Sequence, residues 1–264
     1  MPINKYMDLK GKNILVTGGG GFGVGAGICD VLIACRARLV INERDAEKAA
    51  SAAKKYAGSL VLTADISKSA EVEAMFRQIE NEYGVLDGLV NNAGIGLSRP
   101  AHEASEQEFD KLYGVDVRGL WMVSKLFVNQ LLTKGITGNI VNVSSVHAHG
   151  TIPGYAIYAS AKSAVEGLTR GMAVELGQHK VRVNAIAPGY VHSEQNYELI
   201  RTWTEHPEQW VEDYIFKEQV IHRKIHPDDC GYSAAFLLSD LSQCITGQTL
   251  YIDCGNTIKL LGSV

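Results

Sequence analysis

This 264-residue chain has no CxxC pair, no linker rich in proline or serine, no internal repeat and no long apolar run. Each absence argues against a class of protein. Its five cysteines, Cys29, Cys35, Cys230, Cys244 and Cys254, are odd in number and scattered, unlike a disulfide framework or a zinc knuckle. No segment approaches the roughly 20 apolar residues of a membrane helix, and the opening MPINKYMDLKGKNILV lacks the apolar core of a signal peptide. A soluble, cytoplasmic protein is therefore expected. The formal charge of −4 provides no broad positive field for nucleic acid. His147 and His149 stand two apart and His222 and His226 four apart, but no glutamate completes an HExxH pattern and Pro227 follows His226. No metal site is expected.

What the chain does have is an alternation of short apolar runs with stretches of helical period. NILVT, RLVIN, SLVLTAD, GLVNNAG, NIVNVSS, RVNAIAPG and TLYID read as strands, with helical stretches such as GAGICDVLIACR, DAEKAASAAKKY and SAEVEAMFRQIENEYG after the first three. That rhythm predicts a single α/β domain spanning 1–264, with a doubly wound, Rossmann-type parallel sheet covered on both faces. One long polar and aromatic departure, at about 190–226, predicts a helical lid between a strand and the last helix.

The run VTGGGGFGVGAG, Val16 to Gly27, follows the first strand and opens a helix. A dinucleotide fold needs glycine there, for a tight turn and for close approach of a pyrophosphate. In so glycine-dense a run the GxGxxG match at Gly18, Gly20 and Gly23 carries little by itself; its position after a strand carries more. No lysine follows, which removes the P-loop reading. Glu43 ends the second strand twenty residues after Gly23, the separation expected of an acid that binds the adenosine ribose. A carboxylate there repels a 2′-phosphate, although the adjacent Arg44 could attract one, so the reading favours NAD over NADP.

YASAK places Tyr158 and Lys162 at i and i+4 on one helical face, a cation beside a phenol. An ammonium group and an oxidised nicotinamide both stabilise phenolate, which lets Tyr158 exchange a proton with a substrate hydroxyl. Ser145, thirteen residues before Tyr158 at the end of a strand, can hold the substrate oxygen. Ser144 is the alternative, with the weaker claim, since strand alternation points the two serines in opposite directions.

With these residues in place, the chain resembles the short-chain dehydrogenase/reductase family, in its main branch. The likeness rests on Thr17 and Gly18 with the glycine loop, Ala64 and Asp65, NNAG at Asn91 to Gly94, Ser145, the Tyr158/Lys162 pair, NAIAPG at Asn184 to Gly189, and ITGQTLYID. It implies hydride transfer at nicotinamide, with Ser145 positioning the substrate, Tyr158 as acid/base and Lys162 also on the nicotinamide ribose. The pyrophosphate would meet the loop around Gly18, Phe22, Gly23 and Gly25, and adenine would meet Asp65 and Ile66. Asn92, Ala93 and Gly94 would line the coenzyme channel, and Pro188, Val191 and Ser193 would hold the carboxamide. A homotetramer is the usual assembly.

The chain departs from the family pattern TGxxxGxG by one extra residue, because four residues, Gly19 to Phe22, separate Gly18 from GVG. Phe22 is expected either to face solvent or to cover the cofactor. The second departure is Asp116, where the family usually has asparagine at a helix irregularity whose backbone carbonyl helps hold a water. A backbone role tolerates aspartate, and an ionised Asp116 near Lys162 would strengthen the cation.

By the same resemblance the substrate pocket draws on IGLSRP, VHAHG and the lid. Hydrogen bonds from His147, His149, Tyr190, His192 and Arg99 suit a sugar, polyol or hydroxy acid; Trp203, Trp210, Tyr214 and Phe216 either enclose a ring or pack the lid. The leading expectation is an NAD-dependent oxidation of a secondary alcohol to its ketone, or the reverse. Its alternatives are an NADPH-dependent 3-ketoacyl-type reductase and a non-catalytic NAD(H)-sensing regulator on the same fold.

Overall fold

Strand side chains alternate between two apolar layers. In β1 (Asn13–Thr17) Ile14 and Val16 join one layer and Leu15 the other; in β2 (Arg38–Glu43) Leu39 and Ile41 join the first and Val40 the second. Strands apolar on both faces need helices on both. The computed structural model describes residues 7–259, so the two ends of the expected domain lie outside the described residues. It shows a single α/β domain around seven parallel strands in the order β3-β2-β1-β4-β5-β6-β7. The remaining strands are β3 (Leu60–Thr63), β4 (Gly88–Asn91), β5 (Asn139–Val143), β6 (Arg182–Pro188) and β7 (Thr249–Ile252). All seven coincide with the apolar runs read from the sequence.

Helices α1 (Val24–Ala34) and α9 (Pro227–Leu238) cover one face. On the other lie α3 (Ser69–Tyr83), α5 (Leu120–Lys134) and α6 (Ala156–Leu176), and α2 (Ala46–Lys55) flanks β2 and β3. The short α4 (Glu106–Tyr113) runs into a wider, π-helical turn at Gly114–Gly119 before α5 begins. β1 has β2 on one side and β4 on the other, so the winding reverses there. The crevice outside the carboxyl ends of strands at such a reversal is where open α/β sheets bind ligands.

Between β6 and α9 the chain makes its one long excursion. There α7 (Glu194–Arg201) and α8 (Pro207–Glu218) bury Ile200, Val211 and Ile215 with Tyr190, Trp210 and Tyr214 packed against them. A single parallel bridge between Val191 and Ile225 joins its two ends.

Glycine sets how closely α1 meets α9. A Cβ on Gly27 would stand 2.2 Å from the Pro227 carbonyl carbon, and one on Gly231 would stand 2.6 Å from the Gly27 oxygen. Both contacts are with backbone, which has little room to yield. Gly27→Ala is therefore expected to lower stability by about 1–3 kcal/mol, read as a fall in the thermal midpoint; an unchanged midpoint would show that the two helices can part freely.

Candidate active site

The turn after β1 is held by its neighbour β4. Asn92 and Ala93 donate their backbone N–H groups to Thr17 Oγ1, each at 3.1 Å, and the Asn92 side-chain amide donates to the carbonyls of Thr17 and Gly18, each at 3.0 Å. Gly18 takes a left-handed conformation (φ 65°), and a Cβ on it would come 2.9 Å from Ala93 Cα. A Cβ on Gly25 would lie 2.3 Å from the Gly18 oxygen. Glycine is thus required at 18 and 25 by chain-on-chain contact. Gly23 precedes α1, whose first turn has no side-chain cap; the Ala26 and Gly27 N–H groups donate to the Gly23 carbonyl at 3.1 and 3.3 Å, which leaves those of Val24 and Gly25 for an anion. The extra loop residue, Phe22, is 69% exposed, the solvent-facing one of the two orientations expected from the sequence.

Glu43, at the end of β2, lies against this loop. A Cβ on Gly20 would stand 2.9 Å from Glu43 Cγ and 3.1 Å from Oε2, while Oε1 accepts from the N–H groups of Arg44 (2.9 Å) and Asp45 (3.3 Å). An uncapped helix start, a glycine turn and a carboxylate at the next strand end together fit a nicotinamide dinucleotide. Asp65 stands beyond β3 with Oδ1 bound by the Ser67 N–H and hydroxyl. Burial opposes its charge, but these bonds, with Arg44 and Lys68 nearby, outweigh it and lower its pKa.

Several of the sequence-derived cofactor residues turn their side chains elsewhere. Ile66 is buried against Gly119 and Val191 lies in the main core, so either could meet a ligand only through its backbone. Ser193 Oγ accepts from the Asn196 N–H at 3.3 Å and caps α7. Pro188 closes β6 and is buried. These positions were assigned by motif, and a motif does not distinguish a side-chain contact from a main-chain one.

The catalytic candidates do converge. β5 delivers Ser144 and Ser145 to the edge of the sheet, and their hydroxyls part as strand alternation requires. Ser144 donates to the Lys162 carbonyl (3.3 Å) and to Glu166 (3.1 Å), whereas Ser145 Oγ accepts the His147 N–H at 3.3 Å. Tyr158 and Lys162 stand one turn apart on α6, with the Lys162 Nζ 5.6 Å from the Tyr158 ring centroid. That ammonium is buried; it donates to the Val143 carbonyl at 3.2 Å and lies 3.0 Å from Asp116 Oδ2. Burial works against its charge, yet Tyr158 and Asp116 more than offset that, and its pKa is raised. Gly94 adjoins the pair: a Cβ there would be 3.0 Å from Asp116 Oδ2 and 3.3 Å from Nζ.

Below the site, buried amides join four elements. The Asn91 amide donates to Ser124 (2.8 Å) and to Asn142 (2.9 Å), whose own amide donates to Thr169 (2.9 Å), so β4, α5, β5 and α6 are locked in register. The sequence reading did not single out this network; the signal available was polar residues recurring at strand and helix positions that must be buried.

Of the five residues expected to hydrogen-bond the substrate, one lies against the tyrosine, and Arg99 pairs with Glu108 at 3.0 Å. The His147 ring stacks on Tyr155 (4.7 Å between centroids), meets Tyr158 edge-on at 5.6 Å, and its Nδ1 is 2.9 Å from the Thr151 hydroxyl. Burial lowers its pKa, which favours the neutral ring. His149 is exposed and meets Tyr251 instead. Tyr190 packs on Trp210 and Tyr214, with its hydroxyl 3.3 Å from His192 Nδ1, and burial pushes the phenol up to about 12. His192 stands edge-on to Tyr197 and His226. Tyr155 and Thr151, which orient His147, were not foreseen, although Tyr155 sits one helical turn before Tyr158.

Comparison with known proteins agrees with this geometry. The family model described as enoyl-(acyl carrier protein) reductase matches residues 20–257. The chain belongs to the short-chain dehydrogenase/reductase family, and as a member it is an oxidoreductase acting on CH–OH groups. It is 32% identical over 262 residues to 5-keto-D-gluconate 5-reductase of Escherichia coli, covering 98% of this chain and 100% of the relative. With carbonyl reductase [NADPH] 2 of Sus scrofa it shares 33% identity over 249 residues, 94% of this chain and 98% of the relative. A gluconate 5-dehydrogenase from Burkholderia cenocepacia, solved in complex with NADP and tartrate, superposes with a TM-score of 0.88 at 30% identity, covering 97% of this chain and 99% of that one. Among the described residues no helix is long and apolar enough to cross a membrane.

Because the ammonium and the carboxylate compensate each other in a dry site, removing one strands the other. Lys162→Met is expected to cost about 3–5 kcal/mol of stability as well as activity. Adding Asp116→Asn should restore most of the stability and none of the turnover; denaturant unfolding of the single and double variants measures the difference.

Proposed function

We propose that the protein interconverts a secondary alcohol of sugar, polyol or hydroxy-acid type with its ketone, using NAD(H). The observation that carries this reading is Tyr158 beside a buried, ion-paired Lys162, with His147, whose N–H donates to Ser145, edge-on to the same phenol. The bound dinucleotide supplies or accepts a hydride. Ser145 holds the substrate oxygen by hydrogen bond, Tyr158 transfers the proton to or from that oxygen, and Lys162 fixes the phenol's electrostatic surroundings. His147, neutral and held by Thr151 and Tyr155, offers a hydrogen-bonding edge to a further hydroxyl. The segment 190–226 serves as the lid over the substrate.

The substrate class draws support from the names of the relatives, two of which act on gluconate or its keto form. The coenzyme preference rests on Glu43, whose carboxylate beside Gly20 opposes a 2′-phosphate; that relatives include NADPH- and NADP-associated proteins makes it the point to test. With 5-keto-D-gluconate as probe, kcat/KM is expected to be at least about tenfold higher with NADH than with NADPH, a difference of roughly 1.4 kcal/mol. Glu43→Ala should narrow the gap, and a higher efficiency with NADPH in the unaltered enzyme would overturn the preference.

We also propose assembly as a homotetramer, one interface of which uses the groove between the π-helical turn, α5 and α6. Tyr113, Val117, Trp121 and Leu168 line it, and Trp121 is exposed in the isolated chain, as is Phe109 nearby. Trp121→Glu should reduce the particle mass seen by light scattering without lowering helical content. An unchanged mass would place the interface elsewhere.

A further inference from the structure

Lys162 shares its surroundings with a carboxylate at a position where the family usually has a neutral amide. Asp116 belongs to the π-helical turn, and its side chain is completely buried. Oδ1 accepts the Ile95 N–H at 2.8 Å; Oδ2 faces the ammonium at 3.0 Å and accepts no hydrogen bond from another described residue. Every contact of this carboxyl is with a donor or a cation. An acceptor-only group, one oxygen toward the Ile95 N–H and the other toward the ammonium, matches both neighbours.

The other titratable groups around the couple do not cancel this charge. His147, from the turn after β5, touches Tyr158 edge-on, and burial keeps its ring neutral. Tyr155 stands edge-on to Tyr158 one turn earlier on α6. Glu166, one turn beyond Lys162, is engaged by Ser144, and burial raises its pKa. Arg118, on the same π-helical turn, donates to the Ser67 carbonyl and the Ser69 hydroxyl. From the segment after β4, Gly94 and Ile95 adjoin the pair, and neither has a titratable side chain.

The charges then sum simply. Without the coenzyme's positive ring and with the phenol protonated, Tyr158, Lys162 and Asp116 together are neutral; loss of the phenol proton leaves a net negative charge at a half-buried phenol beside a buried ion pair. With a neutral residue at 116, the same loss would convert a net cation into a neutral pair. Burial disfavours net charge, so the carboxylate opposes deprotonation where an amide would assist it.

We propose that Asp116 is a positioning residue which, acting through Lys162, holds Tyr158 in its proton-donating form to higher pH and so suits the site to carbonyl reduction near neutrality. The reaction's equilibrium constant is untouched; what changes is the pH at which each direction runs fastest. The direction of use rests on the acid/base role assigned to Tyr158 above, while the charge coupling can be read without substrate.

Tyrosinate formation is followed by ultraviolet difference absorbance in the wild type, Asp116→Asn and Asp116→Ala, each with Tyr158→Phe added as its own blank. The Tyr158 signal in Asp116→Asn is expected on the order of one to two pH units below the wild type, and Asp116→Ala should move the same way. The alkaline limb of gluconate oxidation should follow by a similar amount. Asp116→Asn should also keep most of the turnover of 5-keto-D-gluconate, because its side-chain oxygen still accepts the Ile95 N–H, and Asp116→Ala should keep less. A Tyr158 signal that stays in place or moves upward in the folded Asp116→Asn protein overturns the proposal. A downward shift in a protein that turns over neither compound supports the charge coupling and counts against the oxidoreductase reading instead.

Discussion

A dry ammonium cannot stand alone, and the candidate site is built around meeting that requirement. Lys162 lies where water does not reach, so its charge has to be answered by protein, and the answers come from three separate elements: the Val143 carbonyl on β5, Asp116 on the π-helical turn, and Tyr158 one turn back on α6. The wider turn at Gly114–Gly119 makes this possible by carrying Asp116 inward between two helices that are otherwise regular. Beneath it, the amide chain through Asn91 and Asn142 fixes the elements that hold the three partners.

The crowding of glycine after β1 has a physical account that does not need a ligand at every position. Gly18 and Gly25 are demanded by each other and by β4, Gly20 by the Glu43 side chain, and Gly27 by Pro227. At the start of α1 the Val24 and Gly25 amides, which no capping side chain engages, are left for an anion. This also explains how one additional residue is accommodated: Gly21 has nothing within 4 Å of its Cβ position, so the loop lengthens into open space and carries Phe22 outward.

The strands were legible in the sequence because a parallel sheet buried on both faces is written as unbroken apolar runs bounded by polar turns, and all seven were found. The catalytic couple was legible for a different reason, since i and i+4 on a helix fixes proximity without reference to the rest of the chain. Contacts set by tertiary packing were harder to read. Nothing local says that His147 stacks on Tyr155 while His149, two residues on, meets Tyr251, or that Tyr190 belongs to an aromatic cluster with Trp210 and Tyr214. α4 and α5 were not among the elements read from periodicity; much of α5 is buried, from Leu120 to Leu131, and the wider turn breaks the period just before it. Side-chain direction was the other loss: Ile66 and Val191 sit at motif positions, yet both point into the core.

The excursion that carries α7 and α8 leaves the body beside Val191 and returns beside Ile225, and those two residues pair with each other. It is therefore tied at its base, has an apolar cluster of its own in Ile200, Val211 and Ile215, and is fastened a second time where the N–H groups of Val220 and Ile221 donate to the Cys254 carbonyl. Severing the chain at Val191 and Ile225 would therefore not release the segment, because its later part is also stitched to the turn beyond β7.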